Sequence, residues 1–144
     1  MAERRDGERR MANVTRVGID TVFEFIGPDG RPAPVSVELG YRADDPHAVA
    51  MTFRMGDNAT TWLMSRDLLA NGMVHGSGDG DVRLRPFTAR MAILELYSDE
   101  DHAVFHVPVG GLQAFLNSTY DVVPPGRESD FLDIDSALRS LFGQ

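Results

Sequence analysis

Four histidines carry the side chains best suited to acid–base or metal chemistry near neutral pH: His47, His75, His102 and His106. His47 follows a proline turn and His75 sits in a glycine-rich loop, whereas His102 and His106 lie four apart in a stretch that reads as a strand. A four-residue step joins two metal ligands on a helix; on a strand it leaves them on one face but about 13 Å apart. The pair therefore cannot hold one ion, and no metal site is assigned. Gly-Ser-Gly-Asp-Gly-Asp at 76–81 resembles a phosphate or calcium loop. A dinucleotide loop, however, runs from a strand into a helix, and here a strand follows. The calcium template needs a third oxygen ligand besides Asp79 and Asp81 and a closing Glu, which this segment does not supply. The segment is expected to be a turn. The carboxylate pairs Asp44–Asp45 and Glu100–Asp101 fall in expected turns, where acidic residues need no catalytic duty. With no nucleophile elbow, zinc-protease helix or Walker loop, no residue is assigned as catalytic and no cofactor is expected.

Charge narrows the partners. All 14 basic residues among the 144 are Arg, five of them within the first 16 positions, and cysteine is absent. From Val17 onward, nine Arg face 19 Asp and Glu, a body charge of −10. Such a body repels phosphate backbones, so nucleic acid is not an expected partner. The alternative, a single-stranded nucleic-acid binder, would use the N-terminal Arg cluster with Trp62 or Phe87 as stacking surfaces. Arg83 and Arg85, the compact basic pair of the body, read as ion-pair or trimer-contact residues. The lack of cysteine and of a long apolar run fits a cytoplasmic protein that meets membranes only through partners.

Period-two alternation dominates the elements that would position these residues. Strands are expected from Val17 to Phe25, Val35 to Tyr41, Val49 to Met55 and Thr60 to Met64, with turns at 27–34, 43–46 and 56–59. Ser65 is a good helix cap and Gly72 a plausible stop, giving a helix of two turns. Further strands follow at Val82–Arg85, Met91–Tyr97 and Ala103–Val107. Val109, Leu112, Phe115 and Leu116 then recur at helical spacing, in a helix from about Gly110 to Thr119. Ile134, Ala137, Leu138 and Leu141 predict a C-terminal helix. Residues 1–13 read as a disordered Arg-rich tail and 14–144 as one domain, with Met11 a possible natural start.

Four blocks in sequence resemble a known family: Leu-Gly-Tyr-Arg-Ala-Asp-Asp-Pro-His-Ala-Val at 39–49, Trp62 with Ser-Arg-Asp-Leu-Leu-Ala-Asn-Gly-Met at 65–73, Gly-Asp-Gly-Asp-Val-Arg-Leu-Arg-Pro at 78–86, and Val-Pro-Pro-Gly at 123–126. Their order and spacing are similar to those of the SsgA-like sporulation and cell-division regulators of filamentous actinomycetes. Arg85, where an aromatic residue is expected, and the extension before Met11 depart from the pattern. The resemblance implies an α+β protein with two antiparallel sheets and packed helices, a whirly-like fold in which a strands-then-helix unit occurs twice before a C-terminal helix. It implies a homotrimer without enzymatic activity, concentrated at division septa, that helps position septum sites and recruit FtsZ together with a related family member.

Overall fold

The computed structural model describes residues 14–132. The expected N-terminal tail and the expected helix around Ile134–Leu141 lie outside that range. The described chain forms β1 (Arg16–Ile26), β2 (Pro32–Arg42), β3 (Ala48–Met55), β4 (Asn58–Ser65), α1 (Arg66–His75), β5 (Ser77–Asp79), β6 (Val82–Pro86), β7 (Met91–Ser98), β8 (Asp101–Pro108) and α2 (Val109–Val122). A 3-10 turn at Glu128–Phe131 follows.

One sheet is present where two were expected. Its eight strands run in the order β4-β3-β2-β1-β8-β7-β6-β5, all neighbours antiparallel. The first four strands and the last four are each built from successive hairpins, which local alternation and turns make legible. A short non-local ladder joins them: Glu24, Phe25 and Ile26 of β1 pair with His106, Phe105 and Val104 of β8. Sequence pattern gives no notice of a pairing between segments so far apart.

The sheet curls onto its own apolar face. Phe53 on β3 and Phe105 on β8 are three strand positions apart, roughly 14 Å on a flat sheet, yet their ring centroids are 4.8 Å apart. Phe23 and Phe25 extend the cluster, at 6.1 Å from Phe53 and 5.6 Å from Phe105. Inside the curl lie Val37, Leu39, Met51, Leu84, Leu94 and Val107, closed at one end by Leu69 of α1 and by Phe115 and Leu116 of α2. The opposite face carries the polar members of each alternation and meets solvent.

Several boundaries differ from the sequence reading, each for a physical reason. β2 begins at Pro32, because Pro32 and Pro34 lie where β1 pairs with β2 but β3 does not, so their missing N–H groups cost no ladder bond. The β3–β4 turn is tighter than four residues. Gly56, at φ +61°, and Asp57 form a two-residue loop with the glycine in first place, the II′ pattern. α1 passes through Gly72 and ends at Gly76, whose φ is +85°. Gly72 is a packing residue: a Cβ there would sit 2.6 Å from Cβ of Leu84. The loop at 76–81 contains β5, paired with β6 around Gly80 and Asp81, because backbone pairing does not need apolar side chains. α2 extends to Val122.

Candidate protein-binding surface

Curling a sheet without closing it leaves a seam between its ends. Here the seam runs along β4, with α1, β6 and the β7–β8 hairpin opposite. Its lower part is a groove between Leu63, Met64 and Ser65 of β4 and Leu68, Asp79 and Val82 across from them. Its upper part is a cleft of about 340 Å³. Alternation supplies that lining: Phe53 and Met55 from β3, Thr60 and Trp62 from β4, and Leu96, Ala103 and Phe105 from β7 and β8 all project from the inner face. Met55 is 49% exposed and Leu63, on the outer side of β4, 66%. The turns bracketing the cleft carry exposed Asp57, Asp99, Glu100 and Asp101, and among the described residues no Arg lines it. A wet apolar hollow rimmed by carboxylates suits side chains of another protein better than an anion.

The histidines do not converge. His102 stacks on Tyr97, with ring centroids 4.3 Å apart, and its Nε2 lies 3.2 Å from Oε2 of Glu95. His106 packs against Phe87 at 4.9 Å and lies 3.9 Å from Glu24. His75 contacts the Gly76 carbonyl oxygen through Nδ1, while the carbonyl of exposed His47 accepts the Arg66 N–H. Among the described residues no group of three or more His, Asp or Glu is placed to hold a metal ion. Asp44 pairs with Arg42, whose two hydrogen bonds hold its carboxyl below the usual range. Arg85 faces Glu95 at 3.7 Å, and Arg83 lies over the Tyr97 ring. Trp62 lines the inner cleft whereas Phe87 meets the outer-face His106, so the two stacking residues of the nucleic-acid alternative share no platform.

Sequence reasoning missed Arg66. It is the first residue of α1, after Ser65, whose Oγ accepts the Leu68 N–H at 3.1 Å. A charge there ordinarily faces solvent, yet Arg66 is 1% exposed. Its Nη1 donates to the carbonyl oxygens of Thr119 at 3.3 Å and Val123 at 2.8 Å, and Nη2 to Oε2 of Glu128 at 2.8 Å. The guanidinium lies 5.1 Å from the Tyr41 ring centroid and 4.9 Å from that of Tyr120. It places positive charge at the C-terminal end of α2, where the helix dipole favours it. The Arg66 hydrogen bond holds the Glu128 carboxyl below its ordinary range, while burial pushes both tyrosine hydroxyls up. The Tyr41 hydroxyl donates to the Pro46 carbonyl. The only signal for this cluster was Tyr41 and Arg66 lying within the resemblance blocks; their meeting is tertiary.

Residues 35–128 match the family model described as Streptomyces sporulation and cell division protein, SsgA. The chain belongs to the SsgA family. Within it, the sporulation-specific cell division protein SsgB of Thermobifida fusca is 38% identical over 86% of this chain and 93% of its own length. That of Saccharopolyspora erythraea is 42% identical over 83% and 87%. An SsgA-like sporulation-specific cell division protein from Thermobifida fusca, solved by crystallography, superimposes with a TM-score of 0.80 at 37% identity, covering 88% of this chain and 96% of the other. A structure concerned with SsgB mutations and longitudinal cell division in Streptomyces coelicolor sporulation gives 0.78 at 32% identity, over 83% and 97%. The curled α+β sheet is thus the architecture of these SsgA-family structures. Among the described residues no helix is long and apolar enough to cross a membrane.

Proposed function

We propose that this SsgA-family chain serves sporulation-specific cell division as a non-enzymatic adaptor. It helps position septum sites and recruit FtsZ together with a related family member, acting as a homotrimer. The carrying observation is the apolar cleft at the open seam, where Met55 and Trp62 meet solvent over the buried Phe105, between acidic turns. Membership among proteins whose relatives are sporulation-specific division proteins supplies the process. The acidic body supports protein partners over nucleic acid, since phosphate backbones would be repelled.

The test is binding of the full chain to purified FtsZ, alone and with a related family member, in buffer free of nucleotide and added metal. Saturable binding is expected, weakened at least about tenfold by Met55→Glu, which puts a charge into the apolar lining. A chain that binds neither protein removes the reading.

A further inference from the structure

The terminal strand of the sheet is unusually open to pairing. Strand β4 ends the sheet, and among the described residues its backbone ladder bonds only to β3. The two-residue β3–β4 loop makes Met55 and Asn58 a hydrogen-bonded pair, and such pairs recur at every second residue. Asn58, Thr60, Trp62 and Met64 therefore direct their backbone groups toward β3. Ala59, Thr61 and Leu63 direct theirs away from it. The 2.8 Å contact between the hydroxyls of Thr52 and Thr61 agrees, because residues facing each other without mutual backbone bonds have the closer side chains.

Edge strands are normally guarded by lysine, proline, inward charge or a bulge. Asn58–Ser65 has no charged residue and no proline, and its register with β3 runs unbroken from Ala48–Ser65 to Met55–Asn58. Beside it lies the cleft, on the side where alternate residues of an added strand would point.

We infer that the free edge of β4 accepts a further strand: an extended segment of a partner protein, apolar at alternate positions and basic at its flanks. This rests on the adaptor reading and specifies the manner of contact. Backbone groups of Ala59, Thr61 and Leu63 supply the hydrogen bonds, and one set of alternate side chains enters the lining of Phe53, Met55, Trp62 and Phe105. Charge selects the occupant. Asp57, Asp99, Glu100 and Asp101 surround the mouth, so basic flanks are attracted and a second copy of this acidic body is not.

The probe is a pool of synthetic peptides with Thr alternating with Val, Ile, Leu or Phe between pairs of Arg, titrated into the 15N-labelled full chain. Saturable amide shifts at Ala59, Thr61 and Leu63 are expected, with a Kd below roughly 1 mM. Thr61→Pro removes an outward donor without touching the β3 ladder and weakens binding at least about tenfold. Thr61→Val keeps the donor and binds like the parent chain. A pool N-methylated at the amides that would face β4 makes the same test without altering the protein, and it too binds at least about tenfold more weakly. Replacing the flanking Arg with Glu weakens binding at least about tenfold. Absence of saturable shifts, shifts confined to other strands, or equal binding by Thr61→Pro and by the N-methylated pool would overturn strand addition. Equal binding of the Glu-flanked pool would overturn the basic selection. If FtsZ is captured equally by the parent chain and by Thr61→Pro, the adaptor reading stands and the edge is not its site. If the peptides bind at the edge but FtsZ is not captured, the edge stands and the partner named above falls.

Discussion

Replacing Arg66 and Glu128 singly and together tests whether a buried cation ties α1 to the end of α2. Arg66→Met keeps much of the apolar stem but withdraws the Nη1 bond to the Val123 carbonyl at 2.8 Å and the Nη2 bond to Glu128. The Thr119 carbonyl keeps the Val123 N–H at 2.8 Å, so Val123 is the carbonyl left short. One unsatisfied buried acceptor costs about 1–3 kcal/mol. Loss of the carboxylate's partner adds to that, tempered because the Glu128 side chain is 10% exposed and can reach water. About 3 kcal/mol is expected, and about 2 kcal/mol for Glu128→Gln, which leaves the guanidinium a neutral acceptor. The double variant should cost less than the two singles combined by about 1–2 kcal/mol, because they share one interaction. Urea unfolding followed by fluorescence of Trp62, the one tryptophan of the chain, measures all four stabilities. Single losses below about 1 kcal/mol, or additivity within about 0.3 kcal/mol, would refute the tie.

Acid should erase the Glu128 contribution. Its folded pKa is lowered by Arg66, so the stability it confers is present above the ordinary carboxylate value of about 4.3 and is lost as pH falls through the folded value. The gap in urea midpoint between the parent chain and Glu128→Gln should be constant near neutrality and shrink on acidification; a gap that widens would reverse the sign. Gly72→Ala gains helix propensity but drives a methyl into Leu84, and should lower stability by about 1–2 kcal/mol in thermal unfolding. Phe53→Ala removes the ring bridging Phe23 and Phe105 and should cost about 3–5 kcal/mol, read by urea titration. Light scattering at micromolar concentration should give three chain masses, with an interface above roughly 1,000 Å² in total; a stable monomer contradicts the trimer.

Strands β1 to β4 and β6 to β8 were legible because each alternates and ends at a turn residue or, for β4, at the helix cap Ser65. Closure was not. Whether Phe53 meets Phe105 depends on the accumulated curl of the sheet, which no local window encodes. Strand β5 escaped because Ser-Gly-Asp has little strand propensity and is held by its partner. Gly72 was read as a stop from its type, although its neighbour Leu84 decides its role. Arg66 reads as a surface residue, and its burial is made tolerable by Tyr41, Tyr120, Glu128 and the Thr119 and Val123 carbonyls, all brought from distant segments. The cleft is likewise tertiary: Met55 and Trp62 read as core by alternation, and only the seam leaves them wet.

The short ladder between β1 and β8 governs how the molecule assembles. Each hairpin needs only neighbours along the chain, so both halves can form early and independently. Bringing Ile26 to Val104 closes a loop whose entropic penalty rises only as the logarithm of its length, about 0.6 kcal/mol per doubling. That union is nevertheless the strand pairing of greatest sequence separation, and contacts of such long range set folding rates. Refolding should therefore pass late through zipping of this joint, with substitutions at Phe25 or Phe105 slowing it more than equally costly changes inside either meander.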